Sequence, residues 1–244
     1  MTLAEPLEFG HEDRRRIYEH VESRGRVQPD VVRESLDLEE GAFTHHLAIL
    51  KRDGRLAVTG EGALTVAPGD GPHEEVTAGD LVIQIRPARQ DDLTGIVGAI
   101  RQVAEEGSYI VAESVAQEVD HEVALLRHNE LESRMFFVAT VEEEVVGWLH
   151  LRAPELDKLA HTAEVTVGVL EEYRDHGIGS RLLDRGLEWA RERGYEKVYN
   201  SVPSSNQGAI AFLEDHGWET EAVRENHYKI GDEYVDEVML ALSL

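Results

Sequence analysis

The sequence predicts an α/β (α+β) protein of two units, a small helical unit with a hairpin followed by a larger unit with a mixed, mostly antiparallel sheet flanked by helices. From residue 81 onward, β-branched runs alternate with amphipathic helical stretches, which is typical of a layered sheet-and-helix fold. The segment from Ala67 to Asp80 contains 2 prolines, 3 glycines and 4 acidic residues without hydrophobic periodicity, as expected for an exposed connector. We therefore divide the chain into residues 1–67, a linker at 68–80 and residues 81–244.

The first unit is predicted to contain three helices and a hairpin. Residues 11–24 place apolar side chains four apart, Pro29 opens a second short helix, and a third helix is expected at 38–53. Residues 55–66 alternate in polarity on either side of a glycine-containing turn, the pattern of a β-hairpin. This order of elements resembles a winged helix-turn-helix domain.

The resemblance to a winged helix implies contact with DNA through the third helix or docking of a protein partner. Residues 1–75 contain 9 basic and 16 acidic residues, whereas DNA-binding surfaces usually carry the cations that neutralise phosphates. In a cell with a high internal salt concentration, the release of counterions contributes little to DNA affinity, so an acidic unit is compatible with DNA binding too. Both interpretations stay open, as does a homodimer.

The charge of the chain is strongly negative. It has 49 Asp and Glu against 24 Lys and Arg, a formal net charge of −25, and it has no cysteine. Abundant acids and scarce lysines are typical of proteins that work in molar salt, where screening relieves self-repulsion, so we expect a halophilic archaeon as the source. Without a signal-peptide pattern or a membrane-length apolar run, we expect a cytoplasmic protein with no membrane partner.

The second unit is predicted to contain a regular series of strands and helices. Strands are expected at 81–86, 134–141, 145–152, 161–170, 196–202, 218–229 and 233–243, and helices at about 91–106, 112–132, 178–193 and 206–216.

The most informative segment is the strand, turn and helix at residues 163–180. Gly177 and Gly179 allow a tight turn that points successive N–H groups at one spot, and the helix that follows adds its N-terminus, so the segment favours an anion such as a pyrophosphate. It does not match a dinucleotide-binding fingerprint, which needs a third glycine where this chain has Leu182, and no Gly-Lys-Ser/Thr of a P-loop occurs.

Two motifs together resemble the GCN5-related N-acetyltransferase (GNAT) superfamily. Residues 174–179, Arg-Asp-His-Gly-Ile-Gly, match its Arg/Gln-x-x-Gly-x-Gly/Ala signature, and residues 206–218 match its second motif of an asparagine, a short helix and Gly-aromatic. The resemblance covers about 81–244 and implies the acyl-CoA N-acyltransferase fold, with acetyl-CoA as the cosubstrate and an amine as the acceptor.

The resemblance also implies which residues bind acetyl-CoA. The strand residues would pair with the pantetheine arm, the turn would bind the pyrophosphate, and the second motif would contact the arm again. These residues are Val167, Gly168, Val169, Arg174, Asp175, His176, Gly177, Ile178, Gly179, Ser180, Asn206, Ala209 and Phe212.

Direct acetyl transfer requires a neutral amine, so a base must remove a proton. By resemblance the candidate is Glu164 at the start of the cofactor strand, with His161 and Glu143 as weaker alternatives. The tyrosine that many relatives use as an acid is replaced by Leu213, so Tyr228 or water would protonate the leaving thiolate. We expect no metal site, because the 12 histidines are scattered.

The acceptor is predicted from the chemistry of the helix at 112–132, which carries several carboxylates that would attract a cationic amine. We expect a protein lysine. A small amine or a protein N-terminus is the first alternative, and a DNA-binding regulator that senses acetyl-CoA is the second.

Overall fold

The structure is a computed structural model, and it describes residues 9–67, 73–79, 81–104, 110–128, 132–154, 156 and 158–244. The first unit has the predicted order of elements. They are helices α1 (Glu12–Glu22), α2 (Pro29–Ser35) and α3 (Glu40–Arg52) and strands β1 (Leu56–Val58) and β2 (Leu64–Val66), which pair antiparallel. Ile17 and Val21 of α1 are fully buried, and Phe43 and Leu50 of α3 pack into the same core, as their helical spacing predicts. Whether this unit is a winged helix stays a prediction.

The second unit alternates strands and helices. Its first part contains β3 (Glu74–Ala78), β4 (Leu81–Pro87), α4 (Leu93–Ala104), α5 (Ile110–Glu122), β5 (Arg127–His128), β6 (Glu132–Val141) and β7 (Glu144–Pro154). Its second part contains β8 (Thr162–Val169), α6 (Ile178–Glu192), β9 (Lys197–Pro203), α7 (Gln207–Asp215), β10 (Glu219–Ile230) and β11 (Glu233–Ser243). Short 3-10 turns at Gln90–Asp92 and Glu171–Tyr173 precede α4 and α6.

These strands form one nine-stranded sheet in the order β10-β11-β9-β8-β7-β6-β4-β3, with β5 paired to β6 at the side. Among the described strands, every neighbouring pair of this sheet is antiparallel except β8 and β9, which run parallel. The sheet is therefore mixed and mostly antiparallel, which confirms the predicted fold class.

Helices cover both faces of the sheet. On one face, Gly186 of α6 lies directly against Leu149 of β7. Successive residues of a strand point to opposite faces, so Trp148 points the other way. Arg152 lies on the Trp148 face and reaches Glu118 of α5 at 3.5 Å, so α5 covers that face.

The long helix predicted at 112–132 is wrong in its second half, because α5 ends at Glu122. Val123 has a φ of 56°, the left-handed conformation that commonly follows a helix. Gln90 then binds the turned backbone, donating to the Val123 carbonyl at 2.9 Å and accepting the Leu125 N–H at 3.1 Å. The chain passes into β5 and β6 instead of continuing as a helix. Residues 129–131 of the predicted helix, and 105–106 of the one before it, lie outside the described residues.

The segment predicted as a linker at 68–80 also contains structure. Residues 74–78 form β3, which pairs antiparallel with β4 from Glu74–Ile85 to Ala78–Leu81. Residues 68–72 and 80 lie outside the described residues. This short edge strand, Glu-Glu-Val-Thr-Ala, has only two apolar residues, so the glycines and prolines around it dominated the composition from which the linker was predicted.

The two units touch through an ion pair in which Arg127 of β5 lies 3.3 Å from Glu22 of α1. Glu22 is buried, at 5 % exposed, so this contact belongs to the interior and joins the first helix to the sheet of the second unit. Within the described residues, no helix has the length and apolar character needed to cross a lipid bilayer.

Candidate active site

A gap between two parallel strands forms the main cleft. Strands β8 and β9 pair only from Thr162–Lys197 to Glu164–Tyr199, although β8 continues to Val169 and β9 to Pro203. Beyond that point the strands separate, and their backbone edges face a cleft of about 500 Å³. Backbone N–H and C=O groups exposed in this way favour an extended ligand with amide groups of its own.

Most of the residues predicted to bind the cofactor line this cleft. They are Val167, Gly168, Val169, Arg174, Asp175, Gly177, Ile178, Gly179, Ser180, Asn206, Ala209 and Phe212. His176 does not line it, since its ring is exposed and its Nδ1 lies 2.7 Å from the Arg174 carbonyl. Glu164 does not line it either, but it lies two residues before the cleft residue Thr166 on the same strand face.

The turn between β8 and α6 is shaped by two residues in the left-handed conformation, Asp175 at φ 65° and Gly177 at φ 73°. Arg174 Nε donates to the Val169 carbonyl at 3.0 Å and so anchors the turn to the end of β8. The first backbone bond within α6 runs from Arg181 N to Gly177 O at 3.2 Å. The N–H groups of residues 178–180 therefore stand at the free end of the helix, where an anion is stabilised.

The hydroxyl of Ser180 at this helix end is held by His216. Ser180 Oγ lies 3.0 Å from His216 Nε2, and His216 Nδ1 lies 2.6 Å from the Phe212 carbonyl. A carbonyl only accepts, so Nδ1 carries the proton and Nε2 accepts from the Ser180 hydroxyl when the ring is neutral. His216 thus ties α7 to the turn before α6.

Asn206 begins α7 at the far wall of the cleft. Its side-chain oxygen accepts the Ala209 N–H at 3.1 Å, the usual cap of a helix N-terminus. The asparagine of the second motif therefore caps α7, in addition to the contact with the cofactor that the resemblance implies.

Ionisable side chains continue from the cleft along the α5 face of the sheet. Glu164 pairs across the sheet with Arg152 on one side and Tyr199 on the other. Burial raises the pKa of Glu164 above its usual value of 4.5, and the positive charge of Arg152 opposes that rise. Burial also raises the pKa of Tyr199. A carboxyl group with a raised pKa is a better proton acceptor at neutral pH than an exposed one.

The other residues considered for proton transfer lie in different environments. Tyr228 donates its hydroxyl hydrogen to Glu237 at 3.0 Å, and burial with this partner raises the pKa of Tyr228. Leu213 is 1 % exposed and lines the cleft, so the position of the usual family tyrosine is filled by an apolar side chain. His161 and Glu143, the weaker candidates for the base, are exposed and line no part of the cleft.

The carboxylates expected to attract a cationic acceptor are largely neutralised by arginines. Arg134 is 1 % exposed and lies 2.9 Å from Glu118 and 2.5 Å from Glu122. Arg152 donates to Glu132 at 2.8 Å. Glu132 belongs to β6 rather than to a helix.

Two parts of the cleft wall were absent from the sequence prediction. One is residues 200–203 of β9, and the other is residues 110–112 at the start of α5. The β9 residues follow from the splay itself, since a strand that separates from its parallel neighbour exposes the edges of both. The start of α5 carries only apolar residues and gives no chemical signal in the sequence.

Residues 99–218 match the model of the Acetyltransferase (GNAT) family. The chain is 35 % identical over 109 residues to an N-alpha-acetyltransferase of Sulfurisphaera tokodaii, covering 40 % of this chain and 64 % of that protein. It is 30 % identical over 78 residues to the [Ribosomal protein bS18]-alanine N-acetyltransferase of Escherichia coli K12, covering 32 % of this chain and 53 % of that protein. The chain thus spans less than two thirds of the length of these curated relatives.

Solved structures show the same fold. A GNAT-family acetyltransferase from Streptococcus pneumoniae matches with a TM-score of 0.58 at 19 % identity, covering 66 % of this chain and 99 % of that one. A putative acetyltransferase from Salmonella typhimurium, solved with its cofactor acetyl-CoA, matches with a TM-score of 0.53 at 19 % identity, covering 66 % of this chain and 94 % of that one. The second unit of this chain therefore has the GNAT fold, and residues 99–218 are similar to the Acetyltransferase (GNAT) family.

Proposed function

We propose that this chain transfers the acetyl group of acetyl-CoA to an amine of a protein substrate. The observation that carries the proposal is the splay of β8 from β9, which lines the same cleft as the free N-terminus of α6. The splay offers two backbone edges to the amide-containing pantetheine arm, and the helix end offers N–H groups to the pyrophosphate.

The residues of the cleft fit acetyl-CoA in charge as well as shape. A chain with a net charge of −25 repels a polyanion at a distance. Contact with the cofactor instead depends on donors at close range, which are the helix end and Arg174. Acetyl-CoA supplies a thioester, whose carbonyl carbon the amine attacks.

The proposed chemistry divides the proton transfers between two groups. Glu164 removes a proton from the ammonium form of the acceptor, directly or through water. A backbone N–H of the unpaired part of β8 stabilises the negative charge that develops on the thioester oxygen. The carbon–sulfur bond then breaks, the amide nitrogen releases its remaining extra proton to water, and Tyr228 or water gives the thiolate its proton.

For the acceptor, we propose the α-amine of a protein N-terminus ahead of the lysine side chain that the sequence favoured. By its name, the relative from Sulfurisphaera tokodaii acetylates an α-amine, and the relative from Escherichia coli K12 acetylates an alanine of ribosomal protein bS18. The protonated α-amine is the stronger acid, with a pKa of about 7.7–8.0 against about 10.4 for a lysine side chain. A carboxylate deprotonates the α-amine far more readily.

The experiment measures the free thiol released from acetyl-CoA in molar KCl with two matched peptides. One has a free N-terminus and no lysine, and the other has a blocked N-terminus and one lysine. We expect turnover with the first peptide, a mass increase at its N-terminus, and at least a 100-fold lower rate with Glu164→Gln. Glu171→Gln, at an exposed acid near the end of the same strand, should keep the wild-type rate.

Three results would contradict parts of this proposal. Turnover only with the lysine peptide would replace the α-amine by the lysine as acceptor. A wild-type rate in Glu164→Gln would remove Glu164 as the base. Tight binding of acetyl-CoA with no thiol release from any amine of a broad panel would favour a sensor of acetyl-CoA instead of an enzyme.

A further inference from the structure

Three side chains with metal-binding atoms meet in the first unit, away from the cleft. His11 and Asp13 lie at the start of α1, and His46 lies in the middle of α3. Their potential ligand atoms all lie within 4.8 Å of one another. Asp13 Oδ2 is 3.7 Å from His11 Nδ1 and 3.8 Å from His46 Nε2, and the two imidazole rings stack on each other with their centroids 4.2 Å apart.

Arg16 orients the carboxylate of Asp13. Arg16 Nη1 donates to Asp13 Oδ1 at 3.1 Å, and Arg16 Nη2 donates to the Leu36 carbonyl at 2.9 Å. Arg16 thereby fixes one oxygen and turns the other, Oδ2, toward the histidines. Outer contacts that orient a carboxylate in this way are a regular part of metal sites.

His46 is the buried member of this cluster. The residue is 7 % exposed. Its Nδ1 is buried with no hydrogen-bond partner among the described residues, and its Nε2 is too far from Asp13 for a hydrogen bond. Nε2 therefore faces Asp13 Oδ2 without bonding to it, and an ion lying between these two atoms would bind both.

We propose that His11, Asp13 and His46 bind one divalent transition-metal ion of the zinc class and that this ion links α1 to α3. Two imidazoles and a carboxylate suit zinc, cobalt or nickel, whereas magnesium and calcium prefer oxygen ligands alone. Tetrahedral zinc with bonds near 2.1 Å holds its ligand atoms about 3.4 Å apart, so Asp13 Oδ2 is already within about 0.5 Å of that spacing from each ring.

The present contacts of His11 leave a route for binding. Its Nδ1 accepts the Asp13 N–H at 3.1 Å and caps α1. Binding through Nε2 would keep this cap, and binding through Nδ1 would replace it. Because His11 is exposed, its ring has room to turn toward the ion.

The test uses the full chain without a histidine tag, dialysed against EDTA and kept in molar KCl. Zinc is titrated by calorimetry and cobalt by its visible absorption. We expect one ion per chain, no comparable binding of magnesium, and a melting temperature that rises by about 5 °C at 100 times the dissociation constant. His11→Gln, Asp13→Asn and His46→Gln should each weaken binding at least 100-fold.

The matched control is His45→Gln, which changes the neighbouring exposed histidine of α3 and should leave zinc affinity unchanged. Coenzyme A binding should be the same in all four variants, which separates this proposal from the function of the cleft. The proposal fails if wild-type protein binds no stoichiometric zinc, or if His45→Gln weakens binding as much as the three substitutions do. Should His46→Gln not fold, His11→Gln at the exposed ligand still decides the question.

Discussion

The turn before α6 offers a quantitative test of the phosphate site. Gly177 has a φ of 73°, and a Cβ atom added there meets no other atom within 4 Å. Gly177→Ala therefore adds backbone strain without a clash. An L-residue in the left-handed conformation costs about 1–2 kcal/mol.

The strain can appear in two measurable quantities. If the turn keeps its shape, the free energy of unfolding falls by the whole cost. If the turn relaxes, the N–H groups move off the pyrophosphate and affinity for coenzyme A falls instead, by at most about 5- to 30-fold, since about 1.4 kcal/mol corresponds to a factor of ten. The two losses, expressed as free energies, should add up to about 1–2 kcal/mol.

The assay combines calorimetric titration of coenzyme A with urea unfolding of the free protein. Gly177→Asn should lose less than Gly177→Ala, because asparagine tolerates the left-handed conformation. Gly208→Ala is the matched control, since Gly208 lines the same cleft with an ordinary φ and its added Cβ atom would be 3.9 Å from the nearest atom. The turn does not bind the pyrophosphate in this way if Gly177→Ala changes neither quantity. The same conclusion follows if the substitution weakens binding of pantetheine, which has no pyrophosphate, as much as binding of coenzyme A.

Three further predictions concern the sheet. Because burial raises the pKa of Glu164 above 4.5, the proposed base is protonated over a wider acidic range, so the transfer rate should fall as pH decreases through that raised pKa, and Glu164→Gln should lack this limb of the pH–rate profile. An unchanged profile in the variant would exclude Glu164. Gly168→Ala would place a Cβ atom 2.2 Å from Trp148 and should destabilise the fold by about 1–3 kcal/mol in urea unfolding, whereas Gly98→Ala, with open space in α4, should stabilise it by about 0.5–1 kcal/mol. Arg134→Met should cost about 1–3 kcal/mol in the same assay, because it removes a buried guanidinium from the half-buried carboxylates of Glu118 and Glu122, and a loss below about 0.5 kcal/mol would contradict this expectation.

The sequence predicted those parts of the fold whose signal is local. Neighbouring residues determine the order of the helices and strands, the two-residue periodicity of β8 and the glycine turn before α6. The cleft then follows, because the motif lies at the end of the strand that separates from its parallel partner. The two units and their boundary at the linker remain predictions.

The errors come from contacts that are distant in sequence. The apolar residues 124–126 continue the helical pattern of α5, but Gln90, more than 30 positions earlier, binds the backbone on both sides of Ala124 and ends the helix. The cluster of His11, Asp13 and His46 escaped prediction for the same reason, since its third member lies 33 residues after the second. No spacing rule brings such residues together before α1 is packed on α3.

The seam between β8 and β9 divides the nine-stranded sheet into two plates. One plate contains β9, β10 and β11, and the other contains β3 to β8, and within the sheet they are joined by only three residue pairs. A ligand that lies along both free edges therefore acts as a removable strand that completes the sheet. We expect bound acetyl-CoA to stiffen the sheet along this line, because it would bridge two groups of strands that otherwise share three residue pairs.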